Sequence, residues 1–264
     1  MTWLSARRRH PWAAGVVLLL ALLIVGALYS AVMTSPAAEA SSAAAQEQVE
    51  EGRALFLQNC SSCHGLGGEG SSDGPTLIGV GAASVDFQVG TGRMPLAAPG
   101  AQAPDKAVTF TDEQIAAMAA YVATLGPGPA IPTEEQLAYE DADLTEGGEL
   151  FRTNCSQCHN FAGEGGALTN GKYAPKITGT SPKHIYEAML TGPQSMPVFG
   201  DGTISSEEKR AIIRYIRELD QEPNPGGFGL GRIGPVAEGA VIWIIGIGAL
   251  IFLAIWLAGR VHHD

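Results

Sequence analysis

Cysteine is scarce in this chain. Its 264 residues include four, and all four lie in two five-residue segments, Cys60-Ser-Ser-Cys63-His64 and Cys155-Ser-Gln-Cys158-His159. No thiol remains for a disulfide or for a separate nucleophile. Histidine is scarce as well: between residues 47 and 126 His64 is the only one, and His10, His262 and His263 lie at the chain ends. Basic side chains are few away from the termini. Between Thr34 and Glu238, 26 acidic residues face 12 basic ones, and the stretch from Gly126 to Glu149 holds seven acidic residues and no Lys or Arg. Acidity on that scale excludes nucleic acid as a partner. It suits plain solubility and a docking surface for a basic partner equally well.

What the chain does have is one pattern used twice. In C-x-x-C-H the two thiols stand about one helical turn apart, so both can form thioethers with the vinyl groups of one haem while the adjacent His ring reaches the iron. Two such segments imply two covalently bound haem c groups, held by Cys60 and Cys63 and by Cys155 and Cys158, with His64 and His159 as iron ligands. Rival uses of the pattern fit less well. A four-thiolate zinc site usually places its pairs roughly 15 to 20 residues apart, and Cys63 and Cys155 are far more distant than that. A thioredoxin-like pair needs a βαβ setting, which neither segment has.

The flanks repeat too. Gly52-Arg-Ala-Leu55-Phe56-Leu-Gln-Asn59-Cys60 aligns without gaps with Gly147-Gly-Glu-Leu150-Phe151-Arg-Thr-Asn154-Cys155, and at the same offset Glu69-Gly70 aligns with Glu164-Gly165. Met94-Pro95 and Met196-Pro197 also correspond, with a few extra residues in the second copy. One small domain is used twice.

Each copy resembles a class I cytochrome c domain, over Glu47 to Leu125 and Glu146 to Leu219. The expected fold class is all-α: two tandem class I cytochrome c domains with N- and C-terminal transmembrane helices. The resemblance implies a helix leading into C-x-x-C-H, a loop-rich middle carrying a Met that binds iron from the opposite side, and a C-terminal helix crossing the first. Thr111-Asp-Glu-Gln114 and Ser205-Ser-Glu-Glu208 read as capping boxes that start the C-terminal helices. Ile115, Met118, Ala119 and Val122 then share one face, as do Ile212, Tyr215, Ile216 and Leu219. Ser181-Pro182 starts a shorter helix, and the Gly/Pro-rich stretches between motif and Met read as loops. Within that frame Met94 and Met196 are the sixth ligands, because Met118 and Met189 fall at core positions of helices. His184 reads as a helix-surface residue. A thioether opposite the histidine favours ferrous iron and closes the coordination sphere, so both haems carry electrons rather than transform a substrate.

Two apolar runs bracket the domains. Arg7-Arg8-Arg9 precedes the run from Trp12 to Met33, which is either a retained anchor or a signal segment ending near Ala38-Glu39-Ala40. The second run, Val241 to Ala258, is apolar on both faces, long enough to span, and carries Trp243 and Trp256 near its ends. The expected layout is 1–11 cytoplasmic N-terminus, 12–33 anchor or signal segment, 34–46 linker, 47–126 first cytochrome c domain, 127–145 acidic linker, 146–222 second domain, 223–238 connector, 239–259 transmembrane helix and 260–264 cytoplasmic tail. The positive-inside rule places the triple arginine in the cytoplasm, giving a multi-pass cell-membrane protein with its haem domains on the extracytoplasmic face.

That order resembles the dihaem cytochrome c subunit of the actinobacterial cytochrome bc complex. Met189-Leu-Thr-Gly-Pro-Gln-Ser-Met196-Pro-Val-Phe199 is similar to the family's second Met loop, and Phe228-Gly-Leu-Gly-Arg-Ile-Gly-Pro235 to its approach to the last helix. The resemblance implies cytochrome b, Rieske iron-sulfur and cytochrome aa3 oxidase partners. Electrons would enter from the Rieske protein at the second domain and leave from the first to the oxidase. Alternatives are an electron-accepting subunit of a membrane dehydrogenase or of another terminal oxidase such as the cbb3 type, and a dihaem peroxidase, which the paired Met-Pro positions disfavour.

Overall fold

The computed structural model describes residues 11–33, 36–98, 100–221 and 235–261. Residues 1–10 with the triple arginine and His10, residues 222–234 with Phe228, and residues 262–264 fall outside the described residues. The chain is helix-rich. Helix α1 (Ala13–Met33) is followed by α2 (Pro36–Asn59), the one-turn α3 (Ser61–His64), α4 (Gly81–Gly90) and α5 (Asp112–Ala123). A short α6 (Glu134–Leu137) leads to the second copy: α7 (Leu144–Asn154), the one-turn α8 (Ser156–His159), strands β1 (Gly166–Ala167) and β2 (Tyr173–Ala174), α9 (Pro182–Thr191) and α10 (Ser206–Gln221). The last helix runs as α11 (Pro235–Ile242), passes a wide turn at Trp243–Ile247, and continues as α12 (Gly248–Val261). Two spans, Ala13–Ala31 and Gly239–Gly259, are long and apolar enough to cross a membrane, and neither is buried against the rest of the chain.

In each copy an N-terminal helix crosses a C-terminal one: the end of α2 crosses α5, and α7 crosses α10. Each crossing closes at a glycine. A Cβ on Gly52 would stand 1.9 Å from the carbonyl oxygen of Ala117, and one on Gly147 would stand 2.0 Å from that of Ala211. Only glycine lets the backbones approach so closely. One turn further on, Phe56 packs on Tyr121 with ring centroids 5.2 Å apart, and Phe151 packs on Tyr215 at 5.3 Å. Both phenylalanines are fully buried, and burial of each contributes ~1.5–3 kcal/mol.

The helix starts follow local chemistry. The Thr111 hydroxyl accepts from the Gln114 N–H while the Gln114 side chain accepts from the Thr111 N–H; Ser205 and Glu208 repeat the arrangement at α10. At α9 the Ser181 hydroxyl accepts from the His184 N–H, Pro182 occupies the first turn, and Gly192 ends the helix at φ 57°. Helix α4 is the exception, lying in a stretch whose glycine and proline content predicts loops. No local side chain caps it. Instead the Ala83 N–H donates to the carbonyl of Pro129, at 3.1 Å, from the segment that joins the two copies. That acidic segment is docked along its length: Ile131 packs on the first core, Leu137 and Tyr139 pack on the second, and Arg214 donates to the Ala142 carbonyl. The extra residues of the second copy form the β1–β2 hairpin, which pairs Gly166 with Ala174 and Ala167 with Tyr173.

The two copies meet through α4 and α9. Lys183 Nζ lies 2.6 Å from Asp86 Oδ2, and His184 Nε2 lies 3.9 Å from the same oxygen. Asp86 and Glu187 are both buried, and among the described residues no group besides the Asp86 carboxyl hydrogen-bonds to the Glu187 carboxyl. Burial first, then the proton shared with the Asp86 carboxyl and that neighbour's charge, push the Glu187 carboxyl up to about 9, against the pull of the Lys183 ammonium. His184 is therefore not a free surface residue as the sequence suggests. Its ring meets Phe87 edge-on at 6.1 Å, and a Cβ on Gly90 would come within 2.9 Å of its Nε2.

Two outcomes follow from this packing. Gly147→Val should destabilise the second domain by ~2 kcal/mol or more through overpacking, read as a lower midpoint of thermal unfolding by circular dichroism. Glu187 binds a proton in the folded chain that it releases near its ordinary ~4.3 when unfolded. The stability it contributes is complete below that value and is lost as pH rises toward about 9, by at most ~1.4 kcal/mol per pH unit. Glu187→Gln should flatten the fall of the unfolding midpoint between pH 5 and 8, and the gain over the parent should be larger at pH 8.

Candidate haem sites

The helix crossing delivers the first motif. The Cys60 N–H donates to the Phe56 carbonyl at 2.8 Å, ending α2, and the Cys63 and His64 amides fold back onto the Cys60 carbonyl at 3.2 and 3.0 Å. The second motif repeats this with Cys155 on Phe151 at 2.8 Å, and Cys158 and His159 on Cys155 at 3.2 and 2.9 Å. Both thiols of each pair thus sit on one tight turn. Burial, with the second thiol of the pair adding to it, pushes Cys60 and Cys155 each up to about 11.

Each histidine ring is held by a proline carbonyl. His64 Nδ1 lies 2.7 Å from the Pro75 oxygen, and His159 Nδ1 lies 2.9 Å from that of Pro175. With Nδ1–H donating there, Nε2 keeps its lone pair for a metal, the usual outer-shell device for fixing a ligand's tautomer and ring plane. Burial lowers the His159 pKa, with the Pro175 contact acting the other way, so the ring stays neutral and competent to ligate. The loop after each motif is tied back identically: Gly70 N–H to the His64 carbonyl at 2.7 Å, Gly165 N–H to that of His159 at 2.9 Å.

Met94 is half-buried against the core cluster that Cys60 also touches, and its N–H donates to the Gln88 carbonyl at 2.9 Å. In the second copy Cys155, Cys158, His159 and Met196 all line one cavity of about 370 Å³. Met118 and Met189 are each 2% exposed, packed in the two cores. The apolar cavity with paired thiols, an oriented imidazole and a thioether is a donor set suited to a haem iron.

Comparison with known proteins agrees. Residues 49–126 match the family described as cytochrome c, and residues 142–216 match the family described as cytochrome c oxidase, cbb3-type, subunit III. The "Cytochrome bc1 complex cytochrome c subunit" of Mycobacterium tuberculosis is 44% identical over 260 residues, which is 96% of this chain and 93% of that protein. The protein of the same name from Corynebacterium efficiens is 43% identical over 96% of this chain and 90% of its own length. The chain belongs to the family of cytochrome bc1 complex cytochrome c subunits. As a member with two cytochrome c domains it binds haem c and serves electron transport. A more distant relative, "Cbb3-type cytochrome c oxidase subunit FixP" of Bradyrhizobium diazoefficiens, is 24% identical over 64% of this chain and 60% of its own length.

The structure also places residues in this bc1 family member's second site that its sequence does not point to. Phe87, Gly90, Thr91, Arg93, Gln102 and Asp105, all from the first copy, line the cavity of the second motif. Nothing in their spacing announces this, because the wall forms only when the two copies dock. The hairpin residues Lys172 and Tyr173 line it as well. Only the extra length of the second copy hinted at their presence.

Proposed function

We propose that this chain is the membrane-anchored dihaem cytochrome c subunit of a quinol-oxidising bc complex, the observation carrying that proposal being 44% identity over 96% of its length to a protein named "Cytochrome bc1 complex cytochrome c subunit". Cys60 and Cys63 would hold one haem and Cys155 and Cys158 the other, as thioethers to its vinyl groups. His64 with Met94, and His159 with Met196, would be the iron ligands. Bound haem supplies reversible one-electron transfer, tuned upward by a thioether ligand. The chain itself orients each imidazole through Pro75 or Pro175, and the thioether ligands would leave the iron no open position. Both apolar helices cross the cell membrane, leaving domains 47–126 and 146–222 on the extracytoplasmic face. The second domain, next to the C-terminal helix, takes electrons from a Rieske iron-sulfur protein above cytochrome b. The first passes them to a cytochrome aa3 oxidase. Joining acceptor and carrier in one chain makes the middle transfer intramolecular, independent of carrier diffusion.

A second possibility is an electron-accepting subunit of another terminal oxidase, favoured by the match of residues 142–216 to the cbb3 subunit III family.

A reduced-minus-oxidised spectrum of the protein purified from its native membrane in mild detergent separates the two. Copurifying b-type and a-type bands beside the c-type band support the bc assignment with its aa3 oxidase; c-type and b-type bands without an a-type band, or a c-type band without b-type haem, overturn it. On a denaturing gel the haem stain of the parent should fall by about half when Cys60 and Cys63 are both replaced by alanine, and equally when Cys155 and Cys158 are replaced. Met94→Ala and Met196→Ala should each open one reduced haem to carbon monoxide, seen as a shifted Soret band absent from the parent.

A further inference from the structure

The cavity of the second motif has three basic side chains in its wall besides the two histidines: Arg93, Lys172 and Lys176. Lys176 is committed to Glu164, at 2.9 Å, and Lys172 Nζ donates to the Ser195 hydroxyl at 3.1 Å. Arg93 differs. Among the described residues it forms no ion pair, and its guanidinium carbon lies 5.0 Å from the centroid of the Phe87 ring, another cavity-lining side chain. The Asp105 carboxylate, also in the cavity wall, acts on Arg93 by its charge without pairing with it directly, and burial outweighs that help; a half-buried guanidinium in that position gains from an anion that meets it at contact distance. Haem brings two propionates.

The backbone around Arg93 is braced. Lys106 Nζ donates to the carbonyls of Gly92, Arg93 and Pro95. The turn admits no Cβ at Gly92, where φ is 69° and the Lys106 carbonyl oxygen would lie 2.0 Å away. The braced loop is then clamped to the second copy by two reciprocal amide pairs. Gln102 donates to the Tyr173 carbonyl at 2.7 Å and accepts from its N–H at 2.9 Å. Gln194 accepts from the Ala103 N–H and donates to the Ala103 carbonyl, both at 3.0 Å. The second partner of each clamp lies on the β1–β2 hairpin or just before Met196. The first copy is therefore a fixed wall of the second cavity.

We propose that Arg93, a residue of the first cytochrome c domain, binds a propionate of the haem held by the second, so that the second haem site is complete only when the domains are docked. This rests on the assignment of a haem to Cys155 and Cys158. The guanidinium matches a carboxylate in shape and charge and forms paired charge-assisted hydrogen bonds with it. It also holds positive charge beside the haem, which favours the reduced state and raises that haem's potential. Arg93 precedes Met94 in sequence, so one loop carries a residue for each haem.

The test is a potentiometric titration of the full-length protein in detergent, following the c-type α band, for the parent, Arg93→Gln and Arg93→Lys. Haem per chain, measured as pyridine haemochrome, stays at two in all three; a value below two in the parent would refute the dihaem assignment itself rather than the role of Arg93. In Arg93→Gln one of the two titrating components should move to lower potential by about a tenfold change in its reduction constant, which is about 59 mV for one electron. Arg93→Lys should recover part of the shift. The same Arg93→Gln change made with Cys155 and Cys158 replaced by alanine should leave the remaining haem unmoved. Equal movement of both components, no movement of either, or a shift that persists without the second haem would each overturn the proposal.

Discussion

The structure depends on two places where a helix backbone touches another helix backbone. At Gly52 and at Gly147 the missing side chain lets α2 meet α5, and α7 meet α10, with a carbonyl oxygen where a Cβ would stand. Everything that follows is set from those contacts. They seat Phe56 and Phe151, whose carbonyls receive the Cys60 and Cys155 amides. The two motifs therefore leave their helices through the same set of backbone hydrogen bonds. The proline carbonyls then fix the rings. A haem site in this chain is thus the end product of a crossing geometry, and the motif alone would not orient it.

Duplication gave two such motif arrangements, and docking made them unequal. The interface between the copies pairs α4 with α9 around a buried Asp86–Glu187 pair, with Lys183 as the counter-charge. Two buried carboxyls cannot both ionise cheaply, so one keeps a proton. Such a pair specifies how two helices register, because a slip would leave a charge buried without its partner. The acidic segment between the copies strengthens the same arrangement by capping α4 through Pro129 and packing on both cores. A tether would have allowed the haem domains to drift. A docked strap holds them in one relation, as the proposed transfer of electrons between them requires.

Much was legible beforehand. The capping residues Thr111 and Ser205 lie beside the backbone donors they satisfy, so the starts of α5 and α10 could be read from a few residues. Ser181 with Pro182 marked α9 for the same reason. Helix α4 could not be read that way, since its cap lies in Pro129, far along the chain. His184 looked like a surface residue on α9 because the face it occupies is solvent only in the isolated copy; docking turns it toward Asp86 and Phe87.

The sequence by itself determined the chemistry: two C-x-x-C-H motifs, a repeated domain around them, Met-Pro positions downstream, and apolar runs long enough to span a membrane at both ends. These are local patterns, and covalent spacing or helical period is enough to reveal them. Tertiary structure alone decided that the second cavity borrows a wall from the first domain, with Arg93, Phe87 and Gln102 in it. That wall exists only where two surfaces distant in sequence are brought into contact, and no periodicity within either surface encodes the pairing.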